Sequence, residues 1–181
     1  MMNLRRALLL TALAHATLPL RALANPNAAA ADTIGRDLRK LFLSTRAADL
    51  GLRPDSGTPP VFGAAFDWPV GTQFATIAAL TDGSASLYTT GTYNILGGQA
   101  HAPVRAAAQQ FVQTAAQHLG SLAPLNNHPY PATNRARLFL LTFDGLRGIE
   151  LTVDDLRPGS GRYAQAFANA QTVLEALRKT V

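Results

Sequence analysis

The chain predicts an α+β domain built on a single five-stranded antiparallel sheet flanked by helices. Apolar residues recur at helical spacing in three separated stretches and in strand-like runs in five. The order is helix, three strands, helix, two strands, helix. Two Asp-Gly pairs, Asp82-Gly83 and Asp144-Gly145, sit between successive strand stretches, where they read as hairpin turns. Hairpins make antiparallel neighbours, so the order speaks against a parallel crossover fold.

The elements follow in chain order. Asp32 or Thr33 reads as a helix N-cap, with Ile34, Leu38 and Leu41 at helical spacing behind it and an end near residues 44–49. Gly51, Pro54, Gly57, Pro59 and Pro60 make residues 51–60 a loop. The first strand is expected at Val61–Trp68, stopping at Pro69-Val70-Gly71, and the second at Phe74–Leu80. Thr81-Asp82-Gly83 suggests a type I′ turn into a third strand, Ser84–Thr90. A glycine-bearing loop over 91–98 leads to a helix opened by Pro103. Val104, Ala108, Phe111, Ala115 and Leu119 lie along one face, and Gly120 is the expected cap. Three prolines and three asparagines mark 121–134 as loop. Ala136–Phe143 and Ile149–Val153 are the last two strands, joined at Asp144-Gly145. Residues 157–161 are loop. Tyr163, Phe167, Ala170, Val173, Leu174, Leu177 and Val181 stripe a final amphipathic helix. If the second strand of the last hairpin pairs with the first strand of the sheet, the strand order is 3-2-1-5-4.

Residues 1–24 read as an export signal: Arg5 and Arg6, an Ala/Leu-rich run from Ala7 to about Leu20, and Ala22-Leu23-Ala24 with small residues at −3 and −1. The apolar run falls short of the about 20 residues a spanning helix needs, and Pro19 and Arg21 interrupt it. Cleavage would leave Asn25 as the first residue, residues 25–31 as a linker, and residues 32–181 as one periplasmic or secreted domain without a stable membrane anchor. Three of the 16 basic residues lie in the signal, so the rest carries 13 basic against 11 acidic residues. With no basic stripe, nucleic-acid binding finds no support. The chain has no cysteine. That excludes disulfides, lipoprotein anchoring, thiolate metal sites and thiol nucleophiles.

Four segments, 41–45, 66–71, 80–88 and 141–145, resemble those of a family of small exported bacterial proteins, and this resemblance carries no activity with it. The element order resembles the roadblock, longin and profilin modules, although three strands rather than two precede the central helix. That second resemblance implies a domain without a catalytic centre that binds a protein partner or forms a homodimer.

One loop attracts a binding reading. Tyr93, Asn94, Gly97 and Gly98 lead toward a helix start at His101, where free N–H groups and bare glycine backbone could hold a small anion. His101 could serve there as base or ligand, with Asp67 or Asp144 as carboxylate partner, giving a small-ligand binder or hydrolase. The competing reading is a plain strand-to-helix connection, because neither a phosphate-binding nor a dinucleotide fingerprint is present. His118 and His128 match no metal spacing, and Asp82, Asp144, Glu150, Asp154 and Asp155 lack a calcium-loop pattern. A Phe66/Trp68 face could stack on a sugar, against the ordinary reading of two core aromatics. No cofactor, no metal and no catalytic residue is expected. The sequence thus favours an exported, non-enzymatic protein-interaction or self-associating module over the ligand-binding or hydrolytic alternative.

Overall fold

A computed structural model of the chain describes residues 26–55, 57 and 59–181, with side chains from residue 34 onward. The export signal read at 1–24 and the expected mature start at Asn25 lie outside the described residues.

Helix α1 spans Pro26–Leu43. It begins before the expected Asp32/Thr33 cap and takes in residues 26–31, the stretch read as linker. An Ala28–Ala31 run has the highest intrinsic helix propensity, and a proline fits the first helical position. After the loop come β1 (Val61–Val70), β2 (Gln73–Leu80) and β3 (Ala85–Thr89). Helix α2 (Ala102–Ala116) follows, then β4 (Ala123–Pro124), β5 (Ala136–Thr142), β6 (Gly145–Leu151) and helix α3 (Ala164–Arg178).

The α+β class and the single antiparallel sheet flanked by helices hold. The sheet has six strands rather than five, in the order β3-β2-β1-β5-β6-β4. The extra strand is the two-residue β4, which lies on β6 at the sheet edge, a place where a proline is tolerated. The order is a second correction. The last hairpin joins β1 through its first strand, β5, not its second. The reason lies in the side chains. Leu138 and Leu140 are buried on one face of β5, Phe139 and Leu141 on the other, so this strand needs cover on both faces. In β6, Arg147 and Glu150 keep the strand nearer to water.

The turns also differ from expectation. Neither Asp82 nor Asp144 has a positive φ; that role falls to Gly83 (φ 90°) and Gly145 (φ 112°). In the first hairpin Gly83 N–H donates to Leu80 C=O at 3.0 Å, and the Leu80 N–H donates to the Ser84 carbonyl at 2.9 Å. This is a three-residue connection with its left-handed residue last, not a type I′ turn. The Asp82 carboxylate holds it by accepting from the Ser84 N–H at 2.7 Å and the Ser84 hydroxyl at 3.0 Å.

The sheet is covered on both faces. On one, α2 and α3 bury Phe111, Val112, Val173 and Leu177 against Phe66, Ile77, Leu138 and Leu140. On the other, Leu43 from α1 and Ala47 from the turn after it meet Phe62, Ala65, Ala78, Phe139 and Leu141. Helix α1 approaches β3 closely at Gly35, where a Cβ atom would stand 1.8 Å from the Thr89 carbonyl oxygen.

Candidate functional site

The structure takes the loop before α2 apart into pieces that do different things. Asn94 accepts the Thr89 N–H on its Oδ1 at 2.9 Å, and the Thr89 hydroxyl donates to the Tyr93 carbonyl at 2.6 Å. Ile95 bridges to Leu87 by two backbone hydrogen bonds of 2.9 Å, which occupies the outer edge of β3 at that point. Gly97 has φ 70° and opens a single turn of 3-10 helix over 98–100. Gly98 is buried, and a Cβ there would meet Val104 at 2.5 Å and Leu177 at 2.8 Å. Its lack of a side chain is therefore explained by the packing of α2 on α3.

His101 stands at the N-cap of α2 with extended backbone and makes no side-chain cap bond. It lines a cavity of about 280 Å³ with Thr172, Glu175 and Lys179. Tyr93 opens instead onto a second cavity, of about 310 Å³, between the sheet and α3. Tyr93 and His101 thus face different cavities, and neither of those cavities is lined by Asp67 or Asp144. Asp144 lies at the β5–β6 turn beside a third cavity, shared with the C-terminal end of α1.

The remaining acids are engaged locally. Asp154 pairs with Arg157. Asp155 accepts the N–H and hydroxyl of Thr152, at 2.8 and 2.7 Å, and these bonds hold its carboxyl below the usual range. Glu150 takes Arg137 at 2.7 Å, which lowers its carboxyl in the same way. Among the described residues no three His, Cys, Asp or Glu side chains stand close enough to hold a metal ion.

The most constrained polar centre was not legible in the sequence. Arg39 of α1 reaches across to Asp67 in β1, and both are buried. The Arg39 Nε donates to Asp67 Oδ2 at 3.0 Å, its Nη2 donates to the same oxygen, and the Thr76 hydroxyl donates to Oδ1 at 2.6 Å. Burial pushes the Asp67 carboxyl up, while Arg39 and Thr76 pull it down. A strap from the 121–134 loop closes over this pair. The guanidinium donates to the His128 carbonyl at 2.8 Å and the Pro129 carbonyl at 3.3 Å. The Tyr130 ring lies 4.1 Å from the guanidinium carbon and stacks on Phe74 at 4.9 Å. Asp67 is thereby committed to the architecture, with no face left for a substrate. Its only sequence signal was a lone carboxylate inside an apolar strand.

Set against known protein families, curated proteins and solved structures, the chain matches none.

Proposed function

We propose that the chain is an exported, non-enzymatic interaction module that docks a protein, or a second copy of itself, through the outer flank of α1. The observation that carries this reading is a pair of large apolar side chains left exposed on one side of α1. Ile34 and Leu41, seven residues apart on one side of the helix, are 54% and 69% exposed, with half-buried Leu38 between them. The opposite flank of α1 holds Arg39 in the ion pair. Large exposed apolar side chains at one helical spacing favour a partner surface over scattered surface residues. Ile95 takes both backbone groups of Leu87 and Asn94 takes the Thr89 N–H, so these positions of the β3 edge are not open to an added strand. The separation of His101 from Asp67 and Asp144 leaves the hydrolytic alternative without a shared pocket.

The test is direct. The chain expressed with its leader should yield an exported product whose intact mass corresponds to a start at Asn25. That product should self-associate or hold a bound protein by light scattering and cross-linking. An I34E/L41E variant should keep the native circular dichroism spectrum and lose that association. A variant that keeps every association of the parent would sink the reading.

A further inference from the structure

The 310 Å³ cavity between α3 and the open end of the β1–β2–β3 sheet lies apart from the α1 flank, and nothing above assigns it a role. Its walls combine three aromatic residues, Trp68, Phe74 and Tyr93, with the carboxamides of Gln73 and Gln171 and the guanidinium of Arg178. The Gln73, Gln171 and Arg178 side chains make no hydrogen bond or ion pair among the described residues, so all three polar heads are uncommitted. The volume lies at the small end of small-molecule sites, which run from about 300 Å³ upward.

Part of the wall is held in place. Trp68 is fixed edge-on against Phe167, with ring centroids 5.9 Å apart at 82°. Its neighbour on the same face, Phe66, is fully buried, so only the tryptophan of that pair reaches the cavity. The Gln73 carboxamide lies on the backbone of Gly91, where a Cβ would stand 2.5 Å from its Oε1; any side chain at 91 would push the amide away. Tyr93, 47% exposed, is carried on the turn that Thr89 ties at both ends. Such preorganisation lowers the ordering cost of binding.

We propose that this cavity binds a small sugar carrying a carboxylate, of the uronic acid class. Aromatic faces carry partial negative charge and suit the polarised C–H face of a pyranose ring. A carboxamide both donates and accepts, which matches hydroxyl groups that do both. A free guanidinium pairs with a carboxylate in a two-pronged bond. A simple aliphatic acid would use Arg178 and leave the rings and amides idle; a neutral sugar would leave Arg178 idle.

The chain's single tryptophan is Trp68, so its fluorescence reports on the site directly. Titration with D-glucuronate should change the emission saturably, with matching saturation-transfer signals from the ring protons of the sugar. Glucose should bind more weakly by roughly tenfold or more, the scale of a charge-assisted hydrogen bond. R178Q should bring glucuronate down to the glucose level and leave glucose unchanged. Q171A should weaken both sugars, with native thermal melts for both variants. Three outcomes overturn the proposal: no saturable signal by either readout up to about 50 mM, a range in which even millimolar affinity would register; open-chain gluconate binding as tightly as glucuronate; or R178Q binding glucuronate like the parent. Because Ile34 and Leu41 do not line this cavity, the I34E/L41E variant should bind glucuronate normally, which keeps this result separate from the docking reading.

Discussion

The two faces of the sheet are closed by different means. Beneath α2 and α3 the contact is almost wholly apolar: Phe66, Phe111, Leu138, Leu140, Val173 and Leu177 interlock with no charged group among them. Beneath α1 the apolar cluster is smaller, and an ion pair stands beside it, roofed by a strap of irregular chain. Apolar burial is non-directional, so it stabilises many ways of laying a helix on a sheet. A guanidinium held at once by Asp67, two strap carbonyls and the Tyr130 ring accepts one geometry. The α2/α3 face thus contributes most of the burial, while the α1 face fixes how helix, strand and strap meet.

The largest test of this contrast is to break the ion pair. Arg39→Met alone leaves the Asp67 carboxylate buried without its cation and should cost about 3–5 kcal/mol in denaturant unfolding. The pair replacement R39M/D67L should recover much of that loss, because both charges then leave the interior. If the double variant is as unstable as the single one, the centre is held by the shape of the strap rather than by charge. On the opposite face Leu177→Ala should cost about 2–5 kcal/mol through the cavity it leaves, and no second substitution should rescue it by matching charge.

The two hairpins sharpen the comparison at a smaller scale. Gly83 and Gly145 both have positive φ, so Gly→Ala is strained at either. Only Gly83 is also crowded, since a Cβ there would lie 2.9 Å from Arg105 Cβ on α2, whereas nothing stands within 4 Å at Gly145. Thermal melts should therefore place G83A below G145A, with the more exposed turn losing roughly 1 kcal/mol. Equal losses would mean that α2 yields at Arg105 without cost.

The smallest effect is a pH dependence from the strap. Burial, then the positive charges of Arg39 and Lys40, lower the His128 pKa, with Asp67 opposing. Burial and Arg162 lower that of His118, which packs on Tyr163 at 4.4 Å. A histidine whose folded pKa lies below its unfolded value contributes fully above the unfolded value, near 6.5, and loses that contribution as pH falls toward the folded one. Stability should therefore decline modestly below about pH 6.5. H128Q should flatten part of that decline; an unchanged slope would show that the strap histidine is not its source.

Much of the fold was legible. Val104, Ala108, Phe111 and Ala115 on α2, and Tyr163, Ala170, Val173, Leu174 and Leu177 at α3, are buried as their spacing foretold, whereas α2 ends at Ala116, before Leu119, and Val181 lies exposed beyond the end of α3. The candidate site was legible only in fragments. Gly98 and Asn94 look like loop residues awaiting a ligand, but Val104, Leu177 and the Thr89 N–H occupy them. Trp68 and Tyr93 were each visible, yet not as walls of one cavity, because their meeting depends on where α3 lands.

The sequence by itself determined the helical stripes, the two hairpins and the α+β class, since each is written within a few residues as a period or a turn signal. Only the tertiary structure decided that β5 rather than β6 lies against β1, that Arg39 finds Asp67 28 positions away, and that a loop 89 residues from Arg39 closes over both. Local periodicity marked the buried faces of α2 and α3 but not that of α1, whose Ile34 and Leu41 are exposed. It does not say which distant face will meet a buried one, and a buried charge finds its partner only after those faces have been matched.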